Sequence, residues 1–533
     1  MTTNPLRASS RIALGTLLSR VTGLVRVGAT AAVLDIGALT DVYNSANSTP
    51  NLIYELLLGG VLTATLVPLF VDLGARDDRR GTQAVMGVVG TTLIALSALA
   101  AVAAPLIARL LAAQVDPAMH GDAVALGTSL IRCFAVQILG YGFVAMASAA
   151  LHAHRRFAAA AFAPILNNVV VTAVLVLAAQ SASLDQPGDL ALDAVERNRS
   201  LTLLLGFGTS AGVIATALAL VVPLWRAGIP LRPRWLPRDP AVSRLVRASG
   251  WTLGYVVANQ VALLFVMVIA RDTPGALSAY QFAFVFFQLP HGLIAVSIMT
   301  AWLPDLVAQA RANDLGSFAA RFDDGLRSMM LFIVPAAGGY LALSLPIVDS
   351  LLTVGASSPT ATAAALTGFA VGLIPFSAYL FALRGFYALN DTRTPFVINA
   401  GENALNIVFA AFGFARYGVR GLALGYSAAY AIAAIVALIT LRRRLGVSSY
   451  RMPGRHGIAV MVGGIACCAA ASAGSRSVDA PGVALVIGGF AGAGVYGLIV
   501  ATTSRAEIRR LVGGAGVTRS TANAEPPTEA FGV

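Results

Sequence analysis

Residues 11–34, RIALGTLLSRVTGLVRVGATAAVL, and 41–70, DVYNSANSTPNLIYELLLGGVLTATLVPLF, are consecutive apolar segments that carry polar groups where lipid excludes them. Each is long enough to cross a hydrocarbon core of about 30 Å as a helix. The first contains Ser19, Arg20, Gly23 and Arg26; in the second, Asp41, Asn44, Ser48, Asn51 and Glu55 recur at intervals of three and four. At about 100° per residue these five form one stripe on a helix whose other faces are Val, Leu, Ile and Ala. An arginine at the centre of a spanning helix costs roughly 2.5–3.5 kcal/mol on insertion scales. Two of them opposite a carboxylate and amide stripe therefore imply a wet, protein-lined cavity. The pattern predicts a transporter with a polar, partly cationic pathway.

The rest of the chain agrees. With 533 residues, 57% hydrophobic and 12% charged, it is a polytopic membrane protein, and a soluble core is excluded. Apolar runs predict an all-α protein of about fourteen transmembrane helices, centred near residues 23, 56, 98, 138, 170, 213, 256, 292, 340, 375, 406, 432, 465 and 491. Every basic residue is an arginine. Arg76, Arg79, Arg80, the group from Arg226 to Arg247 and the run Arg442 to Arg444 fall on the N-terminal side, whereas Arg109, Arg197, Arg199, Arg271, Arg416, Arg420 and Arg476 fall opposite. The asymmetry places both termini in the cytoplasm, in a plasma (inner) membrane. A net charge of +12 dispersed over many loops suits anionic lipid and argues against nucleic acid as a partner. No removable signal peptide is expected.

Cys133, Cys467 and Cys468 fall within spans and have no metal or disulfide spacing, and the five histidines fall at loop or span ends. His152 and His154 have the spacing of a metal pair, but a place at the interface beside Arg155 and Arg156 explains them as well. No bound metal and no catalytic residue are expected.

An internal repeat sets the architecture. Arg7-Ala8-Ser9 with Gly15 answers Arg247-Ala248-Ser249 with Gly254; Pro50 answers Pro290; the Thr63-Ala64 run answers Thr300-Ala301; Ala163-Pro164 with Asn167-Asn168 answers Thr394-Pro395 with Asn399. The offset stays between about 231 and 240 residues. Two six-helix lobes of one orientation follow, 1–228 and 229–445, with two further spans in 446–510 and a disordered cytoplasmic tail over 511–533. Spans one, two, seven and eight would line the cavity, adding Gln281 and Gln288 of the eighth to its candidate substrate contacts. The third, thirteenth and fourteenth spans are nearly pure Ala, Val, Gly, Leu and Ile. Gly463, Gly464, Gly488, Gly489, Gly492 and Gly494 permit either close helix packing or a greasy groove.

Four ordered motifs resemble the MurJ (MviN) lipid II flippases of the multidrug/oligosaccharidyl-lipid/polysaccharide exporter superfamily. They are Ser19-Arg20-Val21-x-Gly23-x-Val25-Arg26 with Asp41 and Pro50-Asn51-Leu52; Leu151 to Phe157 through Ala163 to Asn168; Gln288-Leu289-Pro290-x-Gly292; and Arg384-Gly385-Phe386-Tyr387-Ala388-Leu389-x-Asp391-Thr392-Arg393-Thr394-Pro395. The resemblance covers about residues 8–500. It implies a polyprenyl diphosphate-linked glycan carried to the outer leaflet, with Ser19, Arg20, Arg26, Asp41 and Asn51 at its headgroup and cell-wall synthesis proteins as partners. Arginine forks suit a diphosphate, and Arg20 and Arg26, about 120° apart on the helix, can clasp it from two directions. Alternatively both arginines merely neutralise Asp41 and Glu55. Where the family commonly has further cavity arginines, this chain has Tyr54-Glu55, Gly59-Gly60 and Phe284-Val285, so a different polyprenyl-linked glycan is the alternative substrate.

In the eleventh span Asn399, Glu402, Asn403 and Asn406 share one face. A carboxylate among amides suits Na⁺ or a proton, and an interhelical hydrogen-bond cluster is the alternative. No organic cofactor is expected. Membrane potential or an ion gradient supplies the drive, in keeping with the lack of a Walker A sequence. A cation-coupled drug exporter of the same superfamily would want an acidic pocket; a membrane scaffold would need no buried charged stripe; an intramembrane enzyme would need a catalytic constellation that does not appear.

Overall fold

The computed structural model describes residues 5–56, 66, 69–74, 76–154, 156–181, 191–229, 232–247, 250–352, 359–446 and 455–503, the side chains of 5–13, 247, 250–252, 351–352 and 455–456 excepted. The expected tail over 511–533 and the Thr63-Ala64 repeat element lie outside these. The described chain is helical: α1 Pro5–Leu34, α2 Ala38–Tyr54, α3 Arg79–Leu111, α4 Pro117–Phe134, α5 Gln137–Ala153, α6 Phe157–Ser181, α7 Leu192–Arg197, α8 Arg199–Arg226, α9 Pro240–Arg247, α10 Gly250–Ile269, α11 Ala276–Pro290, α12 Val296–Arg311, α13 Leu315–Leu352, α14 Pro359–Ala388, α15 Arg393–Arg444, α16 Arg455–Ser475 and α17 Pro481–Thr503.

Twelve helices among the described residues are long and apolar enough to cross a membrane, and the chain is a multi-pass all-α membrane protein. α4 with α5, and α11 with α12, each form one crossing. The 52-residue α15 would extend about 78 Å if straight, more than twice a bilayer core. It is two crossings. At Gly418 the backbone takes φ 56° and ψ −142°, a conformation open essentially to glycine alone, and the halves fold back with Gly413 against Gly421 and Gly425 against Phe409. The expected second span, 41–70, begins as α2 and runs into undescribed residues. These two features account for the difference between twelve and the fourteen expected.

Helix starts lie where side chains cap them. Asp78 accepts from the Gly81 amide at 2.8 Å, Asp116 from Ala118 at 2.8 Å beside Pro117, and Asn198 from Leu201 at 3.1 Å. Helices up to α8 pack among themselves, as do α10 to α15, and α16 and α17 lie against α13. Rings fill the C-terminal bundle: Phe284, Phe287, Phe369, Phe376, Tyr426 and Tyr430 stand at centroid separations of 4.5–6.1 Å. The two last helices meet through small residues, Gly492 against Cys467 and Gly488 against Ala471, whereas Gly489 and Gly494 face open space beside exposed Phe490.

Proline breaks the two repeat-related helices alike. A π turn follows Pro50 at Glu55 and Leu56, and another follows Pro290 over His291–Ala295.

Candidate functional site

The polar stripe divides into two parts. Asp41 to Ser48 is sealed against the start of α11, on the side of the molecule away from the N-terminus of α1. Asp41 is buried, and its carboxylate accepts from the Gly275 amide at 2.7 Å, the Ser278 amide at 2.8 Å and the Ser278 hydroxyl at 2.6 Å. Asn44 donates to Ser278 Oγ at 3.1 Å, buried Arg271 donates to Ser45 Oγ at 3.2 Å, and Gln281 donates to Ser48 Oγ at 3.5 Å. Gly275 closes the end of the seam with φ 82°, and a Cβ there would lie 2.5 Å from the Ile36 carbonyl oxygen. Asp41, expected at the substrate headgroup, thus has both oxygens occupied by the opposite bundle. Free amides at a helix start draw a carboxylate strongly.

Asn51 is exposed and Glu55 half-buried, toward the other side. There Arg20 is exposed and Arg26 half-buried on α1. Asn168 of α6 fixes this helix by donating to Ser19 O at 3.1 Å and Thr22 Oγ1 at 3.0 Å. Arg20 reaches the second bundle: a Cβ on Gly292 would lie 3.2 Å from its Nη2. Arg26 lies within electrostatic reach of Tyr43 and Tyr141. Among the described residues neither arginine forms a salt bridge with Asp41 or Glu55. Gln288 is half-buried one turn before the π turn. His291, expected at a span end, instead opens that turn: it is buried, with Nδ1 3.0 Å from Ser377 Oγ and its ring edge-on to Phe376.

A second cluster lies in the C-terminal bundle. Asn399, Glu402, Asn403 and Asn406 are all buried on α15. Asn259 of α10, which the sequence reading did not single out, accepts from Asn399 at 3.2 Å and Asn403 at 2.9 Å. Both Glu402 carboxylate oxygens, Asn399 Oδ1 and Asn406 Oδ1 are buried with no hydrogen-bond partner among the described residues. Tyr255, Tyr280, Tyr379, Tyr426 and Tyr430 stand within electrostatic reach of Glu402. This site was only half legible, because its partners come from a distant span. His154 Nδ1 lies 2.9 Å from the Ala150 carbonyl, and no group of three His, Cys, Asp or Glu side chains converges among the described residues.

The family model described as "Lipid II flippase MurJ" matches residues 30–483. The chain belongs to the MurJ family. A family member from Rhizobium meliloti (strain 1021), named "Probable lipid II flippase MurJ", is 30% identical over 443 residues, 80% of this chain and 78% of the relative. A solved structure titled "Lipid II flippase MurJ, inward closed conformation" superposes with a TM-score of 0.75 at 20% identity, covering 93% of this chain and 99% of the other. An inward-facing multidrug resistance MATE family transporter of the MOP superfamily shares the fold at a TM-score of 0.63 and 15% identity, covering 81% and 98%.

Proposed function

We propose that this chain moves a lipid-linked glycan of the lipid II kind, a polyprenyl diphosphate, from the cytoplasmic to the outer leaflet for peptidoglycan synthesis. Residues 1–228 and 229–445 are the two lobes that rock about the cavity, 446–510 adds two spans, and both termini are cytoplasmic. The observation that carries the reading is the asymmetry of the polar stripe: closed from Asp41 to Ser48, open at Arg20, Asn51 and Glu55. Such a cavity faces the leaflet where the lipid-linked precursor is made, and its arginine forks match a diphosphate. Ser19, Arg20, Arg26, Asn51, Glu55 and Gln288 are the headgroup contacts. Asp41 and Gln281 join them when the seam parts, since opening frees their hydrogen-bonding groups.

Coupling falls to Glu402. A buried carboxylate without a partner is costly unless it binds a proton or a cation, and a carboxylate among amide oxygens is a hard donor set suited to Na⁺. One charge crossing 100 mV supplies roughly 2.3 kcal/mol.

Depletion of the protein in its own host, followed by extraction of lipid-linked precursors and a leaflet-resolved assay for lipid II, tests the reading. Lipid II should accumulate on the cytoplasmic side. Accumulation of a different polyprenyl-linked glycan would favour the second substrate reading, which Glu55 and Phe284-Val285 support by their departure from the family's arginines.

A further inference from the structure

The geometry points to a lipid-phosphate site on the outer flank of the N-terminal bundle, where Arg109 of α3 and Arg132 of α4 flank one seam beside Thr128 and Ser129. The two helices run antiparallel in a fixed register. A Cβ on Gly127 would lie 3.5 Å from Ala108 Cβ, and Ser97 Oγ donates to the Ala135 carbonyl at 2.8 Å. Arg132 is therefore level with about residue 102 of α3, whose last residue is Leu111. At 1.5 Å per residue it lies about 14 Å below that end, near mid-depth of a 30 Å hydrocarbon core. Yet it is exposed.

Arg109 lies about 100° round α3 from Ala108, and Arg132 about 140° round α4 from Gly127. Because the helices are antiparallel, turns of the same sense carry both arginines to the same flank. Exposed Ala98 and Val102 of α3 and Ala125 and Ser129 of α4 line that flank. Gly127 points the other way, toward Val42 of α2, so the seam is outside the cavity between the bundles. Asp122, the nearest acid along α4, falls about 140° round in the opposite sense. Neither arginine forms a hydrogen bond or ion pair among the described residues.

A guanidinium at this depth needs an anion or water. Side chains on a helix lean toward its N-terminus, so Arg132 rises past Ser129 and Ala125 toward the level of Arg109, about 10 Å above. Both forks then stand on one flank between apolar walls, where a soluble phosphate has no access and a lipid brings its own acyl chains. The occupant is an anionic phospholipid of the leaflet remote from the termini. The site does not rest on the transport reading; only the name of the leaflet rests on the proposed orientation.

Purified full-length protein titrated with phosphatidylglycerol or phosphatidylcholine and measured by native mass spectrometry and thermal unfolding tests it. The Arg109→Gln/Arg132→Gln pair should lose one tightly retained phosphatidylglycerol and at least half of the extra thermal protection that this lipid gives over phosphatidylcholine. Arg109→Lys/Arg132→Lys should keep the adduct, as should the cytoplasmic-side control Arg79→Gln/Arg80→Gln. An unchanged adduct count in the Gln pair, or equal retention of phosphatidylcholine by the wild type, would overturn the site. Should the Gln pair not purify as folded protein, Arg132→Gln alone is decided by the same adduct count.

Discussion

Asp41 and Ser278 are joined by two hydrogen bonds, and they stand 237 positions apart, inside the offset of the internal repeat. Asn44 and Ser278 are separated by 234 and Ser48 and Gln281 by 233. Parallel repeats related by an axis along the helices bring equivalent positions face to face, as in an isologous contact. The seam therefore joins the two bundles through residues about one repeat offset apart, and a small polar change there acts on both bundles at once.

Asp41→Ala should weaken the seam by about 1–3 kcal/mol for each buried donor left without an acceptor. Hydrogen exchange at the Gly275 and Ser278 amides reports it directly, since each 1.4 kcal/mol of lost protection speeds exchange about tenfold. Gly275→Ala should open the same seam by a different route, through a positive φ and the clash with Ile36. Unchanged protection in both variants would mean that the contacts contribute nothing to closure.

Arg20→Ala and Arg26→Ala should each abolish transport while membrane insertion stays intact, because deleting a charge eases insertion but removes a fork. Arg→Lys should restore transport only in part. Full lipid flipping by both Ala variants would remove the arginines from the headgroup site.

Glu402→Gln keeps shape and loses the charge. If Glu402 takes the coupling ion, this variant should flip lipid without dependence on Na⁺ or pH. Asn259→Ala, which removes the acceptor of Asn399 and Asn403 but leaves the carboxylate, should shift the apparent ion affinity and preserve the dependence.

The spans were legible because hydropathy is a property of consecutive residues. The hairpin at Gly418 was legible only as two apolar runs, since a single glycine conformation makes the turn. That Asp41 faces the start of α11 was not legible: the amides of Gly275 and Ser278 leave no mark in a side-chain pattern. Neither was the place of His291, which depends on the π turn after Pro290 and on Ser377, 86 positions away.

On the cytoplasmic side as proposed, Asp72 accepts from Arg244 of α9 at 2.5 Å and from Arg76 at 2.8 Å. The Arg244 hydrogen bond, with Arg76 beside it, holds this carboxyl below its ordinary range. A depressed acid stabilises the folded contact above the unfolded value of about 3.9, and that contribution is lost as pH falls through the lower folded value. The tether of α9 should therefore hold unchanged from pH 8 to pH 5 and loosen only below about pH 4, as read by the exchange protection of 240–247. Both groups are partly exposed, so salt should weaken it as well. Arg244→Gln should remove the acid-dependent step at this segment.

The same asymmetry of the stripe decides which positions meet water. Single cysteines at Asn51 and Gln288, in a background lacking Cys133, Cys467 and Cys468, should react with water-soluble thiol reagents, because one is exposed and the other half-buried on the open side. Cysteines at Ser48 and Gln281 belong to the closed seam, where their side chains hydrogen-bond to each other. They should react slowly in the resting protein and faster when Asp41→Ala parts the bundles. Leu96, packed against its neighbours, and Val486, exposed on the apolar face of α17, should remain unreactive in every state, since neither a packed nor a lipid-facing position offers the reagent water. A reversal, with Ser48 and Gln281 labelled and Asn51 protected, would place the resting cavity on the opposite side of the membrane. Uniform inertness at all four would mean a dry interface, and the buried charges would then be a structural ion network with no path through it.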